Sequence, residues 1–138
     1  MKRILLLLLV ASIITSSCSG MRHRADTASE ELDRAASLVN EERGNVFSLN
    51  EEEYPGNGFF YILNSQGIVL MHPKAALTGE DFSRYDFMRD ILEKERGCVT
   101  FASGTRTISI FFTRLNNGDI LCFTLESTVA DGTYGVCP

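Results

Sequence analysis

The sequence has no tryptophan, only two histidines and three prolines, and its four cysteines show no Cys-x-x-Cys spacing. Each scarcity excludes something. With His23 and His72 as the only imidazoles, a histidine-based zinc site lacks ligands. A lone His72 also lacks the nucleophile and orienting partner that covalent or acid–base catalysis requires. No nucleophile elbow supplies them, and no motif implies a cofactor. Basic residues are outnumbered 13 to 18, a net charge of −5, which argues against nucleic acid and against electrostatic adhesion to anionic lipid. No apolar run reaches the roughly 20 residues a bilayer-spanning helix needs. The acidic stretch from Asn50 to Tyr54 lacks the alternating ligand spacing of a calcium loop and reads as solvated.

What is present begins with a leader. Lys2 and Arg3 precede an apolar run from Ile4 to Ile14, and Thr15, Ser16 and Ser17 then lead to Cys18. That is the pattern of an export signal. The last residues resemble a bacterial lipobox, with Ser17 and Cys18 in its final two positions and Thr15 where leucine is preferred. The resemblance implies cleavage before Cys18 and lipidation of its thiol, hence anchoring in a membrane. An ordinary secretory leader with a chance cysteine is the alternative. Ser19 and Gly20 offer no acidic inner-membrane retention signal, which leans toward the outer membrane or periplasmic face.

The expected layout is a signal peptide over 1–17, a lipidated cysteine and tether over 18–27, one domain over 28–128 and a tail over 129–138. Once Lys2 and Arg3 leave with the leader, 11 basic residues face 18 acidic ones, a balance of −7. Cys98, Cys122 and Cys137 remain, and an odd count leaves at least one thiol unpaired within a monomer. Cys122 lies mid-strand between Leu121 and Phe123 and reads as a buried small hydrophobe. Cys98 opens a strand, and Cys137 sits in a glycine-bearing tail expected to be mobile. If a pair forms in an exported chain, it is expected to involve the tail.

"TASE" at 27–30 is a capping box, and apolar residues at helical spacing from Ala28 to Val39 predict a helix over about 28–43, stopped by Gly44. A loop is expected over 49–58. "FFYILN" (59–64) and "GIVLMH" (67–72) form a hairpin with both strands largely buried. A connecting loop then leads to "SRYD" (83–86), expected to cap a helix over about 85–95 that ends at Arg96 and Gly97. Strands over 98–103, 105–115 and 120–128 turn at Gly104 and "NNGD". Hairpins dominate, so the class is α+β: a five-stranded antiparallel sheet with an N-terminal helix and a helix between strands two and three, covered on one face.

That element order resembles PAS-like domains. Residues 58–101 resemble the extracytoplasmic Cache sensor family more narrowly, through the aromatic first strand, the "NSQG" turn, a second strand ending in His-Pro, "LTGEDFS" and a tyrosine-bearing helix start. The "TRTISIFFTRLNNGDILCFTLES" hairpin fits the closing strands. The chain departs from the family in lacking its tryptophan-bearing ligand patterns, a second membrane span and an output segment after Ser127. The resemblance therefore implies small-ligand binding and signalling through a separate membrane receptor or kinase.

The candidate ligand residues follow from chemistry and resemblance together. His72 is a hairpin-terminating residue with a structural hydrogen bond or the polar wall of a pocket mouth beside the Pro73–Ser83 loop. Arg84 and Tyr85, at the expected helix start, suit a carboxylate, because arginine binds one in a bidentate fork. A solvated arginine beside a capping aspartate is the plain alternative. Tyr61, Arg106 and Phe111 lie on strands that could line the same cavity. Two functions remain: a lipid-anchored domain that binds an organic acid or amino acid, or a non-catalytic envelope module using the fold for protein interaction or scaffolding.

Overall fold

The computed structural model describes residues 26–127 and 134–138. The leader, Cys18 and most of the tether lie outside the described residues, and no described helix is long and apolar enough to cross a membrane. Helix α1 (Ala28–Asn40) starts at the expected capping box: Thr27 Oγ1 accepts from the Glu30 amide at 3.2 Å, and the Glu30 carboxylate accepts from the Thr27 amide at 3.2 Å. It ends three residues earlier than the glycine suggested. Glu42 takes a left-handed φ of 57°, and the Arg43 amide donates back to the Leu38 carbonyl at 2.8 Å. Gly44 instead precedes a second, four-residue helix, α2 (Val46–Leu49). Its capping box pairs Asn45 with Ser48. In the segment that follows, the Asn50 amide side chain bonds both the N–H and C=O of Phe60 at 2.7 and 2.8 Å, as a neighbouring strand would.

A 3-10 turn at Pro55–Asn57 feeds strand β1 (Phe59–Leu63). Gly56 is required there: its φ is 63°, and a Cβ would fall 2.1 Å from the Glu126 carbonyl oxygen. The hairpin turn closes on Asn64, whose Oδ1 accepts from the Gln66 and Ile68 amides, both at 2.9 Å. Strand β2 (Val69–Met71) is shorter than expected and only half covered, with Val69 buried and Leu70 and Met71 exposed. The physical reason is its outer neighbour. Residues 79–82 fold back alongside, so that the Val69 amide donates to Glu80, Gly79 to Val69 and Phe82 to Gly67.

Helix α3 (Met88–Glu93) is also shorter than predicted, and "SRYD" does not cap it. Asp81 binds the Ser83 amide at 2.8 Å and its hydroxyl at 2.6 Å, while residues 82–88 pass through successive turns with Phe87 at the helix start. Arg96 and Gly97 do not end the helix; they open strand β3 (Arg96–Ser103). Strands β4 (Arg106–Arg114) and β5 (Ile120–Ser127) complete an antiparallel sheet in the order β2-β1-β5-β4-β3.

Both faces of this sheet are covered, not one. Ala28, Leu32 and Ala35 of α1, with Val46 and Leu49 of α2, pack on Phe60, Ile62, Phe111, Leu121, Phe123 and Leu125. Cross-strand partners Phe60 and Phe123 stack there with ring centroids 4.3 Å apart. On the opposite face, Met88 and Ile91 of α3 pack on Tyr61, Leu63, Ile110, Phe112, Ile120 and Cys122. This explains the bulky residues on both sides of "TISIFFT": successive residues Phe111 and Phe112 each enter a different core. The described end of the tail, residues 134–138, is held to the domain. Tyr134 is buried in the α1-side core, and Cys137 is disulfide-bonded to Cys98.

Candidate functional site

Pro73 cannot donate a ladder hydrogen bond, so the chain leaves the sheet at His72. The imidazole turns inward and is 8% exposed; its Nδ1 accepts from the Lys74 amide at 2.9 Å. Its ring lies against Phe59 and Tyr61, with centroids 5.3 and 5.4 Å away. Burial holds its pKa below the ordinary histidine value. Tyr61 is buried beneath it and accepts from the Thr124 hydroxyl at 3.2 Å. Burial also pushes the Tyr61 phenol well above its usual range, so it stays neutral.

From Tyr61 a row of rings runs outward: Phe82 at 6.4 Å, then Tyr85 a further 5.7 Å, then Phe87 at 5.5 Å and Phe101 at 4.4 Å. The last three are nearly parallel. Tyr85 is 42% exposed, and Arg84 sits over its ring with Cζ 5.5 Å from the centroid. Arg84 has one loose ion pair, 3.7 Å to Glu80, and remains largely in solvent. The two residues thus sit on a turn ahead of α3, not at a helix N-terminus, and draw no help from a helix dipole.

Arg84 and Tyr85 line an open cleft of about 270 Å³ with Ser83, Asp86, Arg89, Leu92 and Glu93. A second depression of about 400 Å³ shares Asp86 and Arg89 and adds Phe87, Asp90, Val99 and Thr100. His72 lines neither; Phe59, Phe82, Phe87 and Phe101 are partly buried against the core on this face. Arg106 is committed to Glu126 at 2.7 Å near the tip of β4. Phe111 lies on the α1 face, away from Tyr61. Arg89 and the row Phe82, Phe87, Phe101 escaped the sequence reading. Only the spacing of "FSRYDF" hinted at a ring cluster, and which rings meet depends on the turns after Asp81.

Among the described residues no group of three or more His, Cys, Asp or Glu side chains is placed to hold a metal ion. The only described histidine has its Nδ1 occupied by a backbone amide and its ring packed on aromatic carbon.

The strand order, with an N-terminal helix on one face and a helix between the second and third strands on the other, is the PAS-like, Cache-type α+β topology. No family model matches the chain, and no curated protein matches it. Its similarities to solved structures are distant. One is the extracellular domain described as that of histidine kinase mmHK1S-Z2, at TM-score 0.48 and 20% identity, covering 56% of this chain and 34% of that one. Another is the ligand-binding domain of Mlp24 with asparagine, at 0.45 and 23%, covering 72% and 37%. A third is the ligand-binding domain of the Pseudomonas aeruginosa PAO1 amino acid chemoreceptor PctB in complex with L-Arg, at 0.45 and 14%, covering 67% and 35%. The chain therefore spans little more than a third of the length of each.

Proposed function

We propose that this domain is an extracytoplasmic sensor module, anchored by lipid on Cys18, that binds a small organic acid or amino acid and signals through a separate membrane receptor or kinase. The observation that carries the reading is the cleft at residues 83–93. Arg84 and Arg89 both line an open, part-aromatic depression there, together with Asp86 and Glu93. Such a pair of arginines suits a carboxylate, and the adjoining depression offers Asp86, Asp90 and Thr100 as acceptors for an amino group. In this reading Arg84 and Tyr85 touch the ligand, and His72 and Tyr61 form the packed floor that fixes Phe82 and through it Tyr85.

The packing of the His72 ring on Phe59 and Tyr61 favours a second reading, in which the fold serves as an interaction or scaffolding module. A thermal-shift screen of organic and amino acids separates the two. A carboxylate at a hundredfold excess over its Kd stabilises by about 2.7 kcal/mol. Arg84→Ala should remove that shift while barely changing the unliganded protein, because an exposed arginine contributes little to stability. If no compound shifts the melting temperature, the scaffolding reading replaces the sensor.

A further inference from the structure

The two edges of the sheet are finished differently. At β2 the chain folds back on itself: Ile68 bridges Asp81, the Val69 amide donates to Glu80 and the Phe82 amide to Gly67. At β3, the other edge, no described element continues the ladder. The Arg114 amide donates to the Glu95 carbonyl at 2.9 Å, which sets the phase of the β3–β4 pairing. Bonded and non-bonded pairs alternate along an antiparallel ladder, so Gly97, Val99, Phe101 and Ser103 bond to β4. The N–H and C=O groups of Cys98, Thr100 and Ala102 therefore point outward. Thr100 and Ala102 are exposed, and none of these outward groups has a backbone partner among the described residues.

The devices that normally blunt such an edge are missing from it. Residues 97–103 contain no proline and no charge, and the pairing with β4 runs from Arg96 to Ser103 without a bulge. A depression of about 400 Å³ opens along the same edge, lined by Cys98, Val99 and Thr100 with Asp86, Phe87, Arg89 and Asp90. Successive strand residues point to opposite faces, so three in a row meet one depression only at the strand's own edge.

We propose that β3 is a pairing edge whose occupant is β3 of a second copy of this chain, joined antiparallel about a two-fold axis at Thr100. Thr100 then faces its own copy, Val99 faces Phe101, and Cys98 faces Ala102. Every outward N–H of Cys98, Thr100 and Ala102 meets an outward C=O in this register. The small Ala102 leaves room beside the Cys98–Cys137 disulfide, which ties the C-terminal strap (134–138) to β3. A two-fold axis at Val99 would instead set Phe101 against Gly97, which offers no side chain to pack on. Asp86, Arg89 and Asp90 put both signs of charge beside the edge, so two copies offset one another where a partner of one sign would not. The inference does not rest on the ligand reading, since it uses the β3 backbone and not the Arg84–Tyr85 cleft.

The test is sedimentation equilibrium of the full-length chain in detergent, with residue-resolved hydrogen exchange at low and high protein concentration. The wild type should show a reversible monomer–dimer equilibrium. The Cys98, Thr100 and Ala102 amides should gain protection as the dimer forms, while Val99 and Phe101, already bonded to β4, should not change. Thr100→Pro removes an outward donor without touching the β4 ladder. Ala102→Lys puts a charge on the edge and leaves the backbone intact. Each should raise the dimer Kd by roughly tenfold or more, with the monomer still folded. A wild type that stays monomeric at every concentration overturns the proposal and leaves the edge to an extended segment of another protein. It is overturned too if both variants dimerise as the wild type does, or if protection does not alternate along β3.

Discussion

The imidazole of His72 is held neutral by where it sits. Burial against Phe59 and Tyr61 lowers its pKa, and the charge of Lys74 adds to the cost of protonation, while the bond to the Lys74 backbone acts the other way. The folded chain therefore binds a proton at this site less readily than the unfolded chain, whose histidine titrates near 6.5. The stability tied to the neutral ring is fully present above that value. It is lost as pH falls from there through the lower folded value. His72→Asn keeps an acceptor for the Lys74 amide and removes the titration. Melting curves between about pH 7.5 and pH 5 should fall less steeply for the variant than for the wild type; equal slopes would mean His72 is not a source of acid sensitivity. "His-Pro" predicted an extended residue leaving a strand. It could not predict the ring stack, because Phe59 and Tyr61 reach His72 only across the β1–β2 pairing.

At the scale of elements, α1 depends on its buried stripe more than on its cap. Its polar face adds one inter-element clamp: Arg96 bonds both carboxylate oxygens of Asp33 and, at 2.9 Å, the Ser29 hydroxyl. Leu32 is 1% exposed in the shared core, so Leu32→Ala should cost about 2–5 kcal/mol in chemical denaturation. Thr27→Ala, at an exposed cap, should cost about 1 kcal/mol. A larger loss from the cap than from the leucine would contradict this ordering. The capping box at Thr27 and the glycine turns at Gly67, Gly104 and Gly118 were legible because each is a local device, complete within a few residues. Helix α2 carried the same kind of signal in Asn45 and Ser48, hidden behind a glycine that reads as a terminator. "SRYD" misled for the converse reason: Ser83 is already held by Asp81, so it is not available to cap.

At the scale of the whole molecule, a five-stranded sheet carries a packed core on each face, and the cleft proposed to bind the ligand lies at the surface around residues 83–93. The strap and α1 join the two described ends of the domain at one base. That base follows the tether in sequence, so anchoring at Cys18, as proposed, would keep the domain close to a membrane partner. Cys18→Ala should release the protein from membranes or leave it unprocessed. Intact-mass analysis of the wild type should show acyl mass on a mature N-terminus beginning at Cys18, and an unmodified N-terminus would remove the lipid anchor from the proposal.

The sequence by itself determined the α+β class, the helix-strand-strand-helix-strand-strand-strand order and the pairing of neighbouring strands, because caps, turns and alternation act over short distances. It also placed Cys122 in the interior and favoured the tail for any disulfide. Only the tertiary structure decided that both sheet faces are buried, that Phe111 lies apart from Tyr61, and that Arg89 joins Arg84 at one cleft. Those outcomes depend on which side of a twisted sheet each helix and loop packs, and on contacts between residues far apart in sequence, such as Asp33 with Arg96 and Cys98 with Cys137. No local pattern carries that information, since it arises when two faces compete for the same few helices.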